Sequence, residues 1–226
     1  GLPAGLAINA SSGTISGTPT VSGSYTVVVT ATDGASFSGT TSFSWSISNT
    51  VTVAGKADQS SVSGSAITPL ADSATDSESG QTLTWSATGL PAGLSINAST
   101  GTISGTPTAH GTSSVTVTAT DAAAASGSTT FNWTVTNTVT VAGQSGQAGT
   151  TGTAVSPLTN AATDSESGQT LTWSATGLPT GLSINASTGT ISGTPTAHGA
   201  FSVVVTATDG SGAYSSCSFT WTSTSC

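Results

Sequence analysis

The chain has 226 residues, of which 9 are acidic, one is basic (Lys56) and 2 are His; charged residues are 4% of it, against roughly 25% in ordinary soluble domains. One lysine and no arginine exclude the positive footprint of a nucleic-acid or anionic-membrane binder, and no apolar run is long enough for a membrane span. With hydrophobic residues at 35%, the solvent positions fall to Ser and Thr hydroxyls, a surface suited to O-linked sugar or to packing against copies of itself.

The chain opens on Gly-Leu-Pro-Ala-Gly-Leu at Gly1. That motif returns at Gly89 and, with Thr for Ala, at Gly177, a constant spacing of 88 residues. Ile-Ser-Gly-Thr-Pro-Thr begins at Ile15, Ile103 and Ile191, Ala-Thr-Asp closes at Asp33, Asp121 and Asp209, and Trp45, Trp133 and Trp221 keep the same register. Such self-similarity predicts a tandem array. Asn-Thr-Val-Thr-Val-Ala-Gly at 49–55, copied at 137–143, reads as a unit start. Residues 1–48 are then the C-terminal half of a unit, 49–136 a complete unit, and 137–226 a complete unit with a cysteine-containing end. The expectation is a window on a longer array, and the absence of Met and of a signal-like segment agrees with a mature or partial chain.

The elements are best taken in chain order through 49–136. The junction Asn49–Val53 reads as strand and leaves almost no linker. Leu83, Trp85 and Ala87 alternate with Thr82, Thr84 and Ser86, so one face is apolar. Short strands at Leu94–Ile96 and around Ile103 flank Asn97-Ala98-Ser99-Thr100-Gly101, a hairpin turn by composition. Val115, Val117 and Ala119 alternate with Thr116, Thr118 and Thr120, and Phe131, Trp133 and Val135 with Asn132, Thr134 and Thr136. The period is two, not 3.6. Seven or so strands per unit predict an all-β fold of antiparallel sandwiches. Trp85, Leu94, Ile103, Phe131 and Trp133 supply the core, with Trp173, Leu182, Ile191, Phe219 and Trp221 as their copies. A stripe of exposed Trp for stacking on sugar rings is the functional alternative. Pro91 and Pro107 sit beside Gly in turns. His110 and His198 occupy a loop where the first unit has Ser22, without a repeating acid or cysteine beside them; they read as solvated, and no catalysis is predicted.

Cys217 and Cys226 stand one repeat length after Thr129 and Thr138. Extended strand between them spans about 30 Å, so a disulfide requires the tail to fold back; a terminal clasp and a bond to another chain both remain open. Asn9, Asn97, Asn132 and Asn185 fit the Asn-x-Ser/Thr acceptor pattern for N-linked sugar. Hairpin-turn preference explains Asn9, Asn97 and Asn185 equally well.

Residues 89–108, Gly-Leu-Pro-Ala-Gly-Leu-Ser-Ile-Asn-Ala-Ser-Thr-Gly-Thr-Ile-Ser-Gly-Thr-Pro-Thr, followed by Val-Thr-Val-Thr-Ala-Thr-Asp at 115–121, closely resemble the Ig-like and dystroglycan-type cadherin-like domains of large bacterial surface and secreted proteins. The resemblance covers the whole chain. It implies tandem Ig-like or cadherin-like β-sandwiches, extracellular or on a bacterial surface, serving as stalks, spacers or adhesive modules. The partners implied are neighbouring repeats, copies of the chain itself, and glycans. In cadherins, Ala-x-Asp and Asp-x-Asp motifs supply calcium ligands at domain junctions. By that likeness Asp76, Glu78 and Asp121, with Asp164, Glu166 and Asp209 as copies, are candidate calcium ligands. The chain departs from the pattern in having Glu for the second Asp and a junction poor in Asp and Asn. The competing reading is that each Asp closes a turn by accepting nearby backbone N–H groups. The function expected is a non-enzymatic extracellular structural repeat forming a stalk, fibre or filament segment, O-glycosylated. The alternative is a calcium-dependent carbohydrate-binding or cell-adhesion module.

Overall fold

Alternating Thr and Val leave the backbone one way to satisfy its polar groups while hiding every second side chain, and that is the pleated sheet. The computed structural model describes residues 1–225, and these form strands and turns with no helix among them. Residues 1–48 carry β1 (Leu6–Ile8), β2 (Ile15–Gly17), β3 (Gly23–Thr32) and β4 (Ser38–Ile47), paired as two antiparallel hairpins. The next segment carries β5 (Val51–Val53), β6 (Gln59–Val62), β7 (Leu70–Ala71), β8 (Ala74–Asp76), β9 (Thr84–Thr88), β10 (Leu94–Ile96), β11 (Thr102–Gly105), β12 (Gly111–Thr120) and β13 (Ser126–Thr136). The third repeats it as β14 (Val139–Val141), β15 (Gln147–Thr150), β16 (Leu158–Thr159), β17 (Ala162–Asp164), β18 (Thr172–Thr176), β19 (Leu182–Ile184), β20 (Thr190–Gly193), β21 (Gly199–Thr208) and β22 (Tyr214–Thr224).

In the second segment one sheet has the order β6-β13-β12-β9, with β6 parallel to β13 and the other pairs antiparallel. Opposite it lie β10-β11-β7 and the pair β5-β8. The first stretch of chain is thus shared between layers: β5 pairs with β8 on one side, then β6 crosses to β13 on the other. Asp72 and Ser73 likewise divide what would be one strand into β7 and β8, which explains nine strands where about seven were expected. Apolar residues from both layers meet in one buried cluster. Val115, Val117 and Ala119 on β12 are fully buried, as are Ile103 from the facing sheet and, nearly so, Phe131 and Trp133 on β13. The third segment repeats the cluster with Trp173, Ile191, Val203, Val205, Phe219 and Trp221. Each such aliphatic or aromatic side chain contributes about 1.5–3 kcal/mol on leaving water. The outer face is hydroxyl: Thr112 pairs with Thr134 and Thr116 with Thr130, Oγ1 to Oγ1 at 3.1 Å.

The predicted core is therefore observed for Trp85, Ile103, Phe131, Trp133 and their copies, whereas Leu94 and Leu182 are only partly buried. Burial of Trp85, Trp133, Trp173 and Trp221 removes these rings as a platform for stacking on sugars. Residues 1–48 present the same inward positions with fewer strands over them, so Val27 is buried but Phe43 is 40% exposed.

The turn at 97–101 is built as its residues require. Asn97 Oδ1 accepts the N–H groups of Ser99 (2.9 Å) and Thr100 (3.0 Å), and Gly101 N–H returns to the Asn97 carbonyl at 2.9 Å. Gly101 has φ 66°, and a Cβ there would lie 2.7 Å from Trp85 Cδ2, inside the indole. Gly189 and Trp173 repeat this approach. At the corresponding Gly13, with φ 68°, nothing lies within 4 Å of that Cβ position. G101A is therefore expected to destabilise its segment by about 1–3 kcal/mol from overpacking added to the left-handed backbone cost of roughly 1–2 kcal/mol. G13A should show the backbone cost alone, a difference that urea unfolding of the two variants measures.

Candidate functional site

With so few charges, the places where carboxylates gather are the candidate sites, and most lie where one segment meets the next. The Ala-Thr-Asp tripeptides that close at Asp33, Asp121 and Asp209 each end a long strand, and the Asp folds the following turn. Asp33 Oδ1 accepts the N–H groups of Ala35 and Phe37, both at 2.9 Å. Asp121 Oδ1 accepts Ala125 N–H at 2.8 Å, and Asp209 Oδ1 accepts those of Ser211 (2.9 Å) and Ala213 (2.8 Å). The other oxygen of Asp121 accepts the Asn49 amide, and that of Asp209 accepts Asn137. Ser77 and Ser165 complete the set: Ser165 Oγ donates to Asn137 Oδ1 at 2.8 Å and accepts Thr138 N–H at 2.8 Å. Each start of a segment is thereby tied to its own strand ends.

The Asp-Ser-Glu stretches do something different. Asp76 Oδ1 accepts Glu78 N–H and Asp164 Oδ1 accepts Glu166 N–H, each at 2.8 Å, which turns the glutamate toward the preceding segment. Glu78 Oε2 accepts Ser22 Oγ–H at 2.9 Å, and Glu166 Oε2 lies 2.6 Å from His110 Nδ1, both across 56 residues of sequence. Ser63 and Ser165 hydroxyls meet at 2.9 Å over the same second junction. Gly64 is pressed so closely there that a Cβ would stand 2.1 Å from the Ser165 carbonyl oxygen. His110 stays exposed to solvent on one side, but its ring also meets the largely buried Glu166 of the next segment.

Calcium takes six to eight oxygen ligands. Here the oxygens of Asp76, Glu78, Asp121, Asp164, Glu166 and Asp209 are mostly turned to N–H and O–H donors. Asp76 Oδ2 and Asp164 Oδ2 are buried without a hydrogen-bond partner. Among the described residues no three His, Cys, Asp or Glu side chains assemble into a group that could hold a metal ion. In this arrangement the set fits turn closure and segment docking, with one buried oxygen left over in each of the second and third segments.

A second charged site went unread in the sequence. Lys56 Nζ lies 2.9 Å from Asp72 Oδ1 and donates to the Ala71 carbonyl at 2.8 Å, with 13% of the Lys56 side chain and 1% of that of Asp72 exposed. Neither Asp72 oxygen is in hydrogen-bond geometry, so charge holds the pair. In the third segment the positions are Gln144 and Asn160, which keep neutral hydrogen bonds to Thr159 O (3.3 Å) and Gly189 O (2.7 Å). The acceptor-pattern residues Asn9, Asn97, Asn132 and Asn185 are all exposed, the first, second and fourth at hairpin tips. Cys217 lies on β22 opposite Val205 as a free, half-buried thiol; Cys226 lies outside the described residues.

The model of the Putative Ig domain family matches residues 1–48, 49–136 and 137–224. The chain belongs to that family. Its repeats are 41% identical over 105 residues to the Serine-rich adhesin for platelets of Staphylococcus aureus strain MRSA252, a match that spans 46% of this chain and 8% of the adhesin. The adhesin of strain USA300 matches equally over 5% of its length. Among solved structures, human CDH23 EC21-23 aligns over 95% of this chain and 81% of its own, with a TM-score of 0.40 and 18% identity. Mouse cadherin-23 EC22-24 aligns over 90% and 74%, with a TM-score of 0.38 and 18% identity. Among the described residues, no helix is long and apolar enough to cross a membrane.

Two expectations follow from these sites. Lys56→Gln leaves a buried carboxylate uncompensated and should cost about 3–5 kcal/mol, while Lys56→Gln with Asp72→Asn installs the third segment's pair and should recover most of it, as chemical denaturation of the two variants would show. For Asp209, desolvation raises the pKa but is outweighed by the Ser211 side chain and the N–H groups of Ala213, Ser211 and Gly212, which hold the carboxyl below its ordinary 3.8. A folded value below the unfolded one stabilises at pH above the unfolded value, and that stability is lost as pH falls through the folded value. Asp209→Asn should therefore flatten the acid limb of the melting profile below about pH 4.

Proposed function

We propose that the chain is a non-enzymatic structural segment of a bacterial extracellular or surface protein of adhesion type, in which residues 49–136 and 137–226 are complete Ig-like units and 1–48 the second half of one. Its repeats form a stalk, fibre or filament segment. The observation that carries this reading is the recurrence of one docking contact at successive junctions, Ser22 to Glu78 and His110 to Glu166, at the same spacing. Equal contacts at equal intervals set each unit on the next in the same way, which is what a regular extended array requires. The partial likeness to staphylococcal adhesins agrees with a surface setting. Partners on this reading are neighbouring repeats and copies of the chain. The exposed Thr and Ser rows are acceptors for O-linked sugar.

Small-angle scattering of the 226-residue chain tests the reading directly. A compact globule of this length has a radius of gyration of about 17 Å. A clearly larger value is expected from units laid end to end, and a value near that of the globule would overturn the stalk. Intact mass of native material before and after chemical removal of O-linked sugar tests the glycan scaffold: an excess lost on treatment is expected, and a bare polypeptide mass excludes it.

The alternative, a calcium-dependent carbohydrate-binding or adhesion module, is favoured by the unpartnered Asp76 Oδ2 and Asp164 Oδ2. It requires the neighbouring carboxylates to turn inward around the ion, at an affinity near the weak extracellular range of about 10⁻⁴–10⁻³ M. On that alternative, millimolar calcium raises the melting temperature over that in chelator; superimposable melting curves would remove it.

A further inference from the structure

The second and third segments hold the same edge strand in different ways. In the second, side chains tie β6 to β13 at three points besides the backbone ladder. Asp58, just before β6, accepts the Asn132 backbone N–H at 2.8 Å and its side-chain amide at 3.4 Å. Ser61 Oγ accepts the Trp133 indole N–H at 3.0 Å, and the Ser61 carbonyl accepts the Thr136 hydroxyl at 3.3 Å. In the third, β15 lies along β22 in the same parallel register, from Gln147 beside Trp221 to Thr150 beside Thr224. There the counterparts of Asp58, Ser61 and Asn132 are Gly146, Gly149 and Thr220, so the first two ties have no side chain to make them. The ties that remain are at the far end, where the Thr224 hydroxyl donates to the Gly149 carbonyl at 3.4 Å and the Thr151 hydroxyl to the Thr224 carbonyl at 3.2 Å. The ion pair of Lys56 with Asp72 ahead of β6 is likewise replaced ahead of β15 by neutral Gln144 and Asn160.

The closed position of β15 also leaves two polar atoms unsatisfied. Trp221 Nε1 and Ser223 Oγ are buried without a hydrogen-bond partner and out of reach of water. Gly149 pairs with Ser223, and its Cβ position lies 3.5 Å from Trp221 Nε1, with Val155 and Pro195 packed alongside. Burying a polar atom unpaired penalises the state that buries it, and withdrawal of β15 opens the Gly149 side of both groups to water. The stretch is also rich in glycine, with Gly143, Gly146, Gly149 and Gly152 where the second segment has only Gly55 and Gly64. Neither Gly146 nor Gly149 has the positive φ that calls for glycine, so their effect is on the detached state, which gains conformational freedom. We propose that β15 is a releasable strap, which detaches from β22 and recloses while β18, β21 and β22 stay paired, and that β6 of the second segment opens far less. Release bares the unpaired backbone groups along Trp221–Thr224 of β22. In the stalk proposed above, the third segment then yields before the second; only that consequence rests on the stalk, and the opening itself does not.

Native-state amide exchange of the ¹⁵N-labelled 226-residue chain, read residue by residue and corrected for intrinsic rates, tests the strap. The β15 amides bonded to β22 should be protected less than their β6 counterparts by about tenfold or more, while β12 and β21 keep the full protection of their segments. Gly146→Asp with Thr220→Asn restores the first tie, and Gly149→Ser the second. At Gly146 only the Thr220 carbonyl oxygen lies near the new Cβ, at 3.5 Å, and at Gly149 the closest atom, Val155 Cγ1 at 3.3 Å, has to give way slightly. The triple variant should raise the protection of β15 by about tenfold and leave β6 unchanged; if it does not fold, Gly146→Asp with Thr220→Asn alone should raise it in the same direction. Equal protection of β15 and β6, exchange of β15 only together with β21, or restored ties that leave β15 unchanged would each overturn the proposal. Exchange is blind to whether the chain is extended, so a compact chain in scattering removes the stalk and not the strap.

Discussion

The second and third segments each hang on the closure of a five-residue turn over one indole. Trp85 belongs to the four-stranded sheet, and the 97–101 turn belongs to the hairpin of the opposite layer. The Trp85 N–H donates to the Ala98 carbonyl at 2.8 Å while Gly101 lies flat against the ring. Two sheets that pack face to face are otherwise free to slide, because apolar contact has no preferred direction. A backbone hydrogen bond combined with a contact that tolerates no Cβ removes that freedom and sets which side chains interdigitate below. The third unit preserves both halves of the device, with Trp173 bonded to Ala186 and Gly189 on the ring.

Between units the physics changes. Cores are apolar and closed, but what passes from one unit to the next is a hydroxyl or imidazole on a glutamate, a pair of serine hydroxyls, and a glycine under a carbonyl. Contacts of this kind give direction more than energy, since each replaces hydrogen bonds that water would otherwise make. The turn chemistry supports them from behind: Asp76 and Asp164 spend one oxygen each on fixing the glutamate that docks. Carboxylates are sparse in this chain because most surface positions do nothing that needs charge, and they persist where a turn or a junction does.

The long strands were legible because alternation over ten residues has one interpretation, and β12 and β13 follow it residue by residue. The turn at Asn97 was legible for the same reason, its residue types being those that the backbone geometry demands. What escaped were short strands, such as β7 and β8, whose two or three residues carry no period, and contacts across units. His110 looked idle because its own unit offers it nothing; the clue was that the position before it in the array, Ser22, and both glutamates keep the same spacing. Lys56 and Asp72 could have been found in the same way, since both become amides together in the next unit. The Asp residues stood out in the sequence as recurring positions, and their turn bonds are of the type that short carboxylates favour. Sequence gives the residue type, but which oxygen is engaged depends on the loop's conformation.

The Lys56 and Asp72 pair has a consequence outside stability. Trypsin-like proteases cut after Lys or Arg, and this chain of 226 residues offers them a single bond, after Lys56. The side chain such an enzyme must draw into its specificity pocket is 13% exposed and held against a carboxylate. Cleavage there has to wait for local opening of the second unit, so the rate follows the population of that open state. A surface made of hydroxyls in place of lysines is thus also one on which a whole class of proteases finds almost nothing to grip.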